Sequence, residues 1–138
     1  MKNLDYDSGI YLLEIFLHKP KKIEVGKKGE FTFPPGYYYY AGTAQKNLQA
    51  RLERHKRRVK KYHWHIDYLL GAANLLSIYT WEVKREGECH LARYLIDKLN
   101  GEIIVPGFGS SDCRCKTHLV FFPQKVTKNE IPDNDFFD

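Results

Sequence analysis

The sequence predicts an α/β domain, a small sheet flanked by helices, and three observations carry that expectation. Short β-prone runs at Gly9–Leu17, Tyr37–Ala41 and Leu75–Val83 alternate in character or are apolar on both faces. Two longer stretches, residues 45–61 and Glu88–Leu99, repeat apolar residues at the period of a helix. A chain of 138 residues, 43% hydrophobic and 14% aromatic, can bury one genuine core. Residues 1–123 are read as one domain, and the polar, acidic tail of residues 124–138 is expected to fray.

Gly9–Leu17 (GIYLLEIFL) is apolar on both faces except for Glu14, which suits a central strand covered on each side. Residues 18–35 mix Lys, Gly and Pro with short β-prone pieces and read as a hairpin or extended insertion. Tyr37–Ala41 is a second strand, Tyr38 and Tyr40 on one face and Tyr37 and Tyr39 on the other. Gly42-Thr43 then supplies a turn and an N-cap for the helix over 45–61. In that helix Leu48, Leu52 and Val59 form an apolar stripe that includes His55, with Arg51 and Arg58 beside it. Lys46, Arg57, Lys60 and Lys61 project away.

Residues 62–73 predict a second short helix, its apolar side made by Ile66, Leu69, Leu70 and Ala73. Leu75–Val83 is a third strand, with Leu75, Tyr79, Trp81 and Val83 on one face. Glu88–Leu99 is an amphipathic helix with Leu91, Ala92, Leu95 and Leu99 inward and Glu88 on the core-facing side of its first turn. Gly101–Asp112 is a Gly/Ser loop, and His118–Phe122 makes the last strand.

Charge is concentrated in one place. Lys46–Lys61 carries eight basic residues against Glu53, a net of +7 in a chain of +5. The remainder is close to neutral, so the chain presents a basic face, the footprint of a phosphate-backbone binder. Arg54, Arg58 and the four projecting cations are the candidate contacts. The plain alternative is a solvated helix face. The start of the sequence has no apolar leader core and no apolar run is long enough to cross a membrane, so a soluble cytoplasmic protein is expected.

Three cysteines do not make a secreted disulfide framework. Cys113, Cys115 and His118, with Cys89 upstream, offer a zinc ligand set. The alternatives are a disulfide from Cys89 to one of the pair, or reduced cysteines packed as small apolar groups. His118 and Asp112 can instead line a cleft.

GIY at Gly9–Tyr11, YAG at Tyr40–Gly42, then Arg51, His55 and a helical Glu88, form an ordered set that resembles the GIY-YIG endonuclease superfamily. KNLQARL at Lys46–Leu52 is similar to the matching segment of UvrC-type repair nucleases. WHIDYLL (Trp64–Leu70), Glu88-Cys89 and PGFGSSDCRCKTHL (Pro106–Leu119) resemble, more closely, a subfamily catalogued as a domain of unknown function, number 123. Its members stand alone or are fused to endonuclease III-like glycosylases. The middle motif is YAG rather than YIG, and residues 18–35 lengthen the spacing from Tyr11 to Tyr40. With the order of elements, the resemblance implies a small, mainly antiparallel sheet flanked by helices, with the site on one sheet face.

It also implies metal-dependent hydrolysis of a nucleic-acid phosphodiester, DNA before RNA, in a repair setting with a repair-protein partner. Glu88 would hold Mg²⁺ or Mn²⁺ through oxygen. Tyr11 would act as or position the general base, its pKa lowered by the metal and the nearby cations. Tyr40 would position water or phosphate, Arg51 would fork onto the scissile phosphate, and His55 would orient Tyr11 or move a proton. A non-catalytic nucleic-acid-binding accessory module and a protein-interaction domain are the competing readings.

Overall fold

The protein is described by a computed structural model over residues 4–109 and 115–138. Its elements are β1 (Gly9–Leu17), β2 (Lys21–Glu24), β3 (Glu30–Phe33), β4 (Gly36–Ala44), α1 (Leu48–Lys56), α2 (His65–Leu70), β5 (Asn74–Trp81), α3 (Gly87–Asp97) and β6 (Leu119–Phe122). Four strands form one sheet in the order β5-β1-β4-β6, every neighbouring pair antiparallel, and β2-β3 form a separate two-stranded sheet. The expected α/β architecture is therefore present, with residues 18–35 folded as the predicted hairpin.

β1 lies inside the sheet because it can bury both faces. Tyr11, Leu13, Ile15 and Leu17 join Tyr38, Tyr40, Leu48, Leu52, Ile66 and Leu69 on the side covered by α1 and α2. Ile10 and Leu12 join Tyr39, Ala41, Trp81, Leu91 and Leu95 on the side covered by α3. Glu14 is fully buried and accepts a hydrogen bond from the Tyr39 hydroxyl at 2.7 Å, with Lys125 Nζ at 3.8 Å.

Several elements depart from the sequence expectation. β4 runs on through Gly42 and Thr43, so these residues pair with β1 rather than turn. α1 starts after Asn47, which takes a left-handed conformation (φ 56°) and makes no side-chain cap. Asp7, far away in sequence, caps the helix instead, its carbonyl accepting from Leu48 N and its carboxylate from Gln49 N.

α1 also ends at Lys56, not residue 61. Lys60 folds back and donates to the carbonyls of Arg54 and His55 in the last turn, adding to the Arg57 amide already on Arg54 O. Val59, expected in the apolar stripe, is 92% exposed as a result. α2 is confined to residues 65–70, although Ile66, Leu69, Leu70 and Ala73 are buried as its pattern requires.

A bulge in β5 explains another difference. Leu75 pairs with Ile15 and Ser77 with Glu14, leaving Leu76 as the extra residue. Leu75 consequently packs on the α1/α2 side while Tyr79, Trp81 and Val83 pack on the α3 side. The segment after Pro123, expected to fray, instead lies against the body. Val126 is buried and its amide donates to the Tyr39 hydroxyl, Trp81 Nε1 donates to Pro132 O, and Tyr94 donates to Glu130 O. Phe136 and Phe137 add ring contacts to His90, Tyr94 and Trp81. Among the described residues, no helix is long and apolar enough to cross a membrane.

Candidate functional site

Two neighbouring strands of the sheet set the floor of one cleft. In β1 and β4, Tyr11 and Tyr40 point to the α1/α2 side, Tyr11 directly opposite Gly42. A Cβ at Gly42 would lie 2.4 Å from the Tyr11 ring, so only glycine lets that ring cross the neighbouring strand. Arg51 from α1, Trp64 and its flanking histidines before and in α2, Glu88 from the first turn of α3, and His118 before β6 complete the walls. The cleft is open on one side and has a cavity volume of about 180 Å³, room for a phosphodiester group.

Behind Tyr11 sits His55, 2% exposed, its Nε2 2.8 Å from the Tyr11 hydroxyl. The imidazole is buried, and desolvation followed by the nearby Lys60 lowers its pKa to about 3. Burial likewise pushes the Tyr11 phenol well above its usual value, with Arg51 pulling the other way and losing. Tyr40 is raised for the same reason. From the protein's own groups alone, burial outweighs the pull of Arg51, and both partners of this pair are neutral at pH 7.

Arg51 is held rather than left to sample solvent. One terminal nitrogen donates to Thr43 O at 2.7 Å, and the guanidinium lies 4.6 Å from the centre of the Trp64 ring. Arg54 stacks on the same ring at 4.4 Å and grips Asp67 with both terminal nitrogens. Asp67 is fully buried and also accepts from the amides of His63 and Trp64 at 2.8 and 2.9 Å. Burial alone would raise its carboxyl; the Arg54 and amide hydrogen bonds outweigh that and hold it below the usual range. Asp67 fixes Trp64, and Trp64 with Thr43 aims Arg51.

Opposite Arg51, the Glu88 carboxylate lies 3.5 Å from His118 Nε2, which is itself 3.6 Å from Cys89 Sγ. Burial lowers the His118 pKa to about 4, so its imidazole is neutral at pH 7. Cys89 and Cys115 meet as a disulfide pair with Cα atoms 5.9 Å apart, and their sulfurs with His118 also form a group able to hold a metal ion. Cys113 and Asp112 lie outside the described residues. His118 therefore takes the cleft position that the sequence offered as its alternative.

The candidate phosphate-backbone cations divide. Lys46, Arg57 and Lys61 are exposed. Arg58 is exposed but donates to Ala73 O. Arg54 is committed to Asp67, and Lys60, 6% exposed at its side chain, closes the end of α1 rather than projecting away. Positive charge near the cleft is supplemented by Arg85, a lining residue that no sequence pattern marks.

With this geometry in place, the family is decided by one match: the family model described as Domain of unknown function DUF123 covers residues 10–135. The chain belongs to the DUF123 family. No curated protein and no solved structure matches it. The DUF123 match runs from β1 to the packed C-terminal segment and so includes every residue of the cleft. Within this DUF123 chain, Trp64, His63, His65, Arg85 and Gly109 are cleft residues that sequence reasoning does not assign. The available signal is Asp67 three residues after Trp64, an acid that has to find buried donors inside an apolar helix face.

Proposed function

We propose that the cleft binds a nucleic-acid phosphodiester, DNA before RNA, and hydrolyses it with one hard divalent cation at Glu88. The observation that carries this reading is the gathering of the Arg51 guanidinium, two phenols and one carboxylate from four different elements around one open cleft, with the Arg85 guanidinium beside them. The order of these residues along the chain is that of the GIY-YIG nucleases, which supports the same reading.

Hydrolysis forms a bond from a water oxygen to phosphorus and breaks the ester P–O bond; the water loses a proton and the departing oxygen gains one. Arg51, with one donor spent on Thr43, offers its remaining N–H groups to the non-bridging oxygens. Tyr40 and Tyr11, neutral at pH 7, hold water or phosphate by hydrogen bonds. A His55 pKa of about 3 makes a poor proton store at neutral pH, so His55 serves to orient Tyr11. Glu88 and the phenols make an oxygen-rich donor set suited to Mg²⁺ or Mn²⁺. When bound, such a cation supplies positive charge to the phosphoryl oxygens and acidifies its own water.

A second reading, a nucleic-acid-binding accessory module without chemistry, is favoured by the neutral Tyr11–His55 pair, which provides no general base unaided. The two separate in one experiment. Wild type is incubated with Mg²⁺ or Mn²⁺ and single-stranded, duplex, flap and branched DNA, and RNA. Cleavage of any of these by a hard cation supports the hydrolase; binding with no cleavage of all of them leaves the accessory module.

A further inference from the structure

Beside the cleft, the donor groups of Cys89, Cys115 and His118 gather at one point, and Glu88 reaches His118 from the cleft side. His118 Nε2 is the shared vertex, 3.6 Å from Cys89 Sγ and 3.5 Å from Glu88 Oε1. The ligand atoms of Cys89, Cys115 and His118 all lie within 4.8 Å of one another. A tetrahedral zinc ion has Zn–S of about 2.3 Å and Zn–N or Zn–O of about 2.0–2.1 Å. Those bonds place sulfur and nitrogen about 3.6 Å apart, and nitrogen and oxygen about 3.3 Å apart. Both edges measured at His118 are close to these lengths. The imidazole is 3% exposed and set by its backbone, whose amide donates to Phe108 O and whose carbonyl accepts from Ala41 N. A rigid, buried ring facing a sulfur and a carboxylate at ligand-to-ligand spacing is more than a His–Glu hydrogen bond requires.

We propose that the dithiol form of this protein binds one zinc ion through Cys89, Cys115 and His118, with Glu88 closing the tetrahedron. The Cys89–Cys115 disulfide is its alternative, ion-free state. Passage between them is balanced: a reductant supplies two electrons and two protons to the disulfide, and zinc then displaces the two thiol protons. Glu88 is the residue the two states compete for. With zinc in place its carboxylate turns to the thiolate side; with the disulfide formed it lies at the cleft beside His118, so thiol oxidation sets which kind of ion it serves. The zinc site itself rests on donor geometry, not on cleavage chemistry, and is measured with metal alone.

The test compares oxidised protein with protein reduced by a phosphine, which is then removed, in equilibrium dialysis against zinc and against cobalt. Reduction should expose two further titratable thiols and create a site for about one zinc. Cobalt in that site should give a near-ultraviolet thiolate charge-transfer band. Cys89→Ser, Cys115→Ser and His118→Ala should each weaken zinc by about 100-fold, and Glu88→Gln by about 10-fold, since water can take the fourth position. Equal zinc uptake by oxidised and reduced wild type overturns the proposal without any variant having to fold. So does reduced protein that holds no zinc, or zinc lost in Cys113→Ser but kept in Cys115→Ser. None of these outcomes depends on whether the protein cuts nucleic acid.

Discussion

Arg54 meets Asp67 with both terminal nitrogens, at 2.9 and 2.8 Å, and so removes one cation from the basic surface to build the wall of the cleft. Asp67 is fully buried and Arg54 is its main counter-charge, so truncating Arg54 leaves a carboxylate with too few partners. Arg54→Ala should destabilise the protein by about 3 kcal/mol in urea unfolding, whereas Lys61→Ala should change it by less than about 0.5 kcal/mol. Equal effects would mean that the pair is not structural.

Chemistry and binding should separate at Glu88 and Tyr11. Glu88→Gln keeps the side-chain shape but removes the charge proposed to hold a hard cation. Cleavage should fall by about 1,000-fold, on the order of 4 kcal/mol, with affinity for uncut DNA within a few-fold of wild type. Tyr11→Phe removes only the hydroxyl that faces His55 and should also spare affinity. Single-turnover cleavage beside filter binding reads both. Unchanged cleavage in the two variants would move the site elsewhere.

Salt dependence locates the docking cations. Reversing Lys46, Arg57 and Lys61 together should lower the slope of log affinity against log salt by roughly 0.9 for each duplex phosphate that is no longer neutralised. Lys60→Gln, which opens the end of α1, should lower thermal stability more than it changes that slope. A slope untouched by the triple reversal would leave a merely solvated face.

His55 predicts a pH dependence of stability. Its folded pKa is lowered to about 3, while an unfolded histidine titrates near 6.5. Between these values the unfolded chain binds the extra proton. Stability from this group is therefore full above about pH 6.5 and lost as pH falls towards 3, about 2 kcal/mol being gone by pH 5. His55→Gln should flatten the difference between pH 8 and pH 5 by that amount in chemical denaturation. An unaltered difference would show that His55 is protonated in the fold.

Gly42 tests the approach of the two strands. A methyl group there meets the Tyr11 ring at 2.4 Å, so Gly42→Ala must displace the phenol from His55. The expected cost is about 1–3 kcal/mol of stability, with cleavage falling as far as in Tyr11→Phe. Retained cleavage at wild-type rates would show that the hydroxyl is not needed where it lies.

What is legible in the sequence follows from how local each cause is. β1 can be read to its ends because its residues are apolar on both faces, and the split of Tyr38 and Tyr40 from Tyr37 and Tyr39 needs only strand alternation. Tyr11, Tyr40, Arg51 and Glu88 are marked by their resemblance to the GIY-YIG motifs and are found in one cleft, with His55 behind Tyr11. The end of α1, the face of Leu75 and the course of the tail differ from what their local patterns predict. Each depends on a partner that no such pattern announces: the Lys60 ammonium on two carbonyls, the extra residue Leu76, and the Tyr39 hydroxyl waiting for Val126. Trp64 is hidden for the same reason, since its place is set by Asp67 and two arginines.

The interior position of β1 also has a consequence for synthesis. The strand leaves the ribosome before its partners, apolar on both faces, and needs β4 along one edge and β5 along the other. The second partner is complete only at Trp81, which at 5–20 residues per second takes roughly 3–13 seconds more. Over that interval the nascent chain carries an adhesive, unpaired ribbon. Lys19, Pro20, Lys21 and Lys22, directly behind it, are the residue types that keep such a ribbon from recruiting its copies. Charge of this kind disfavours aggregation of a newborn chain before any cleft has formed.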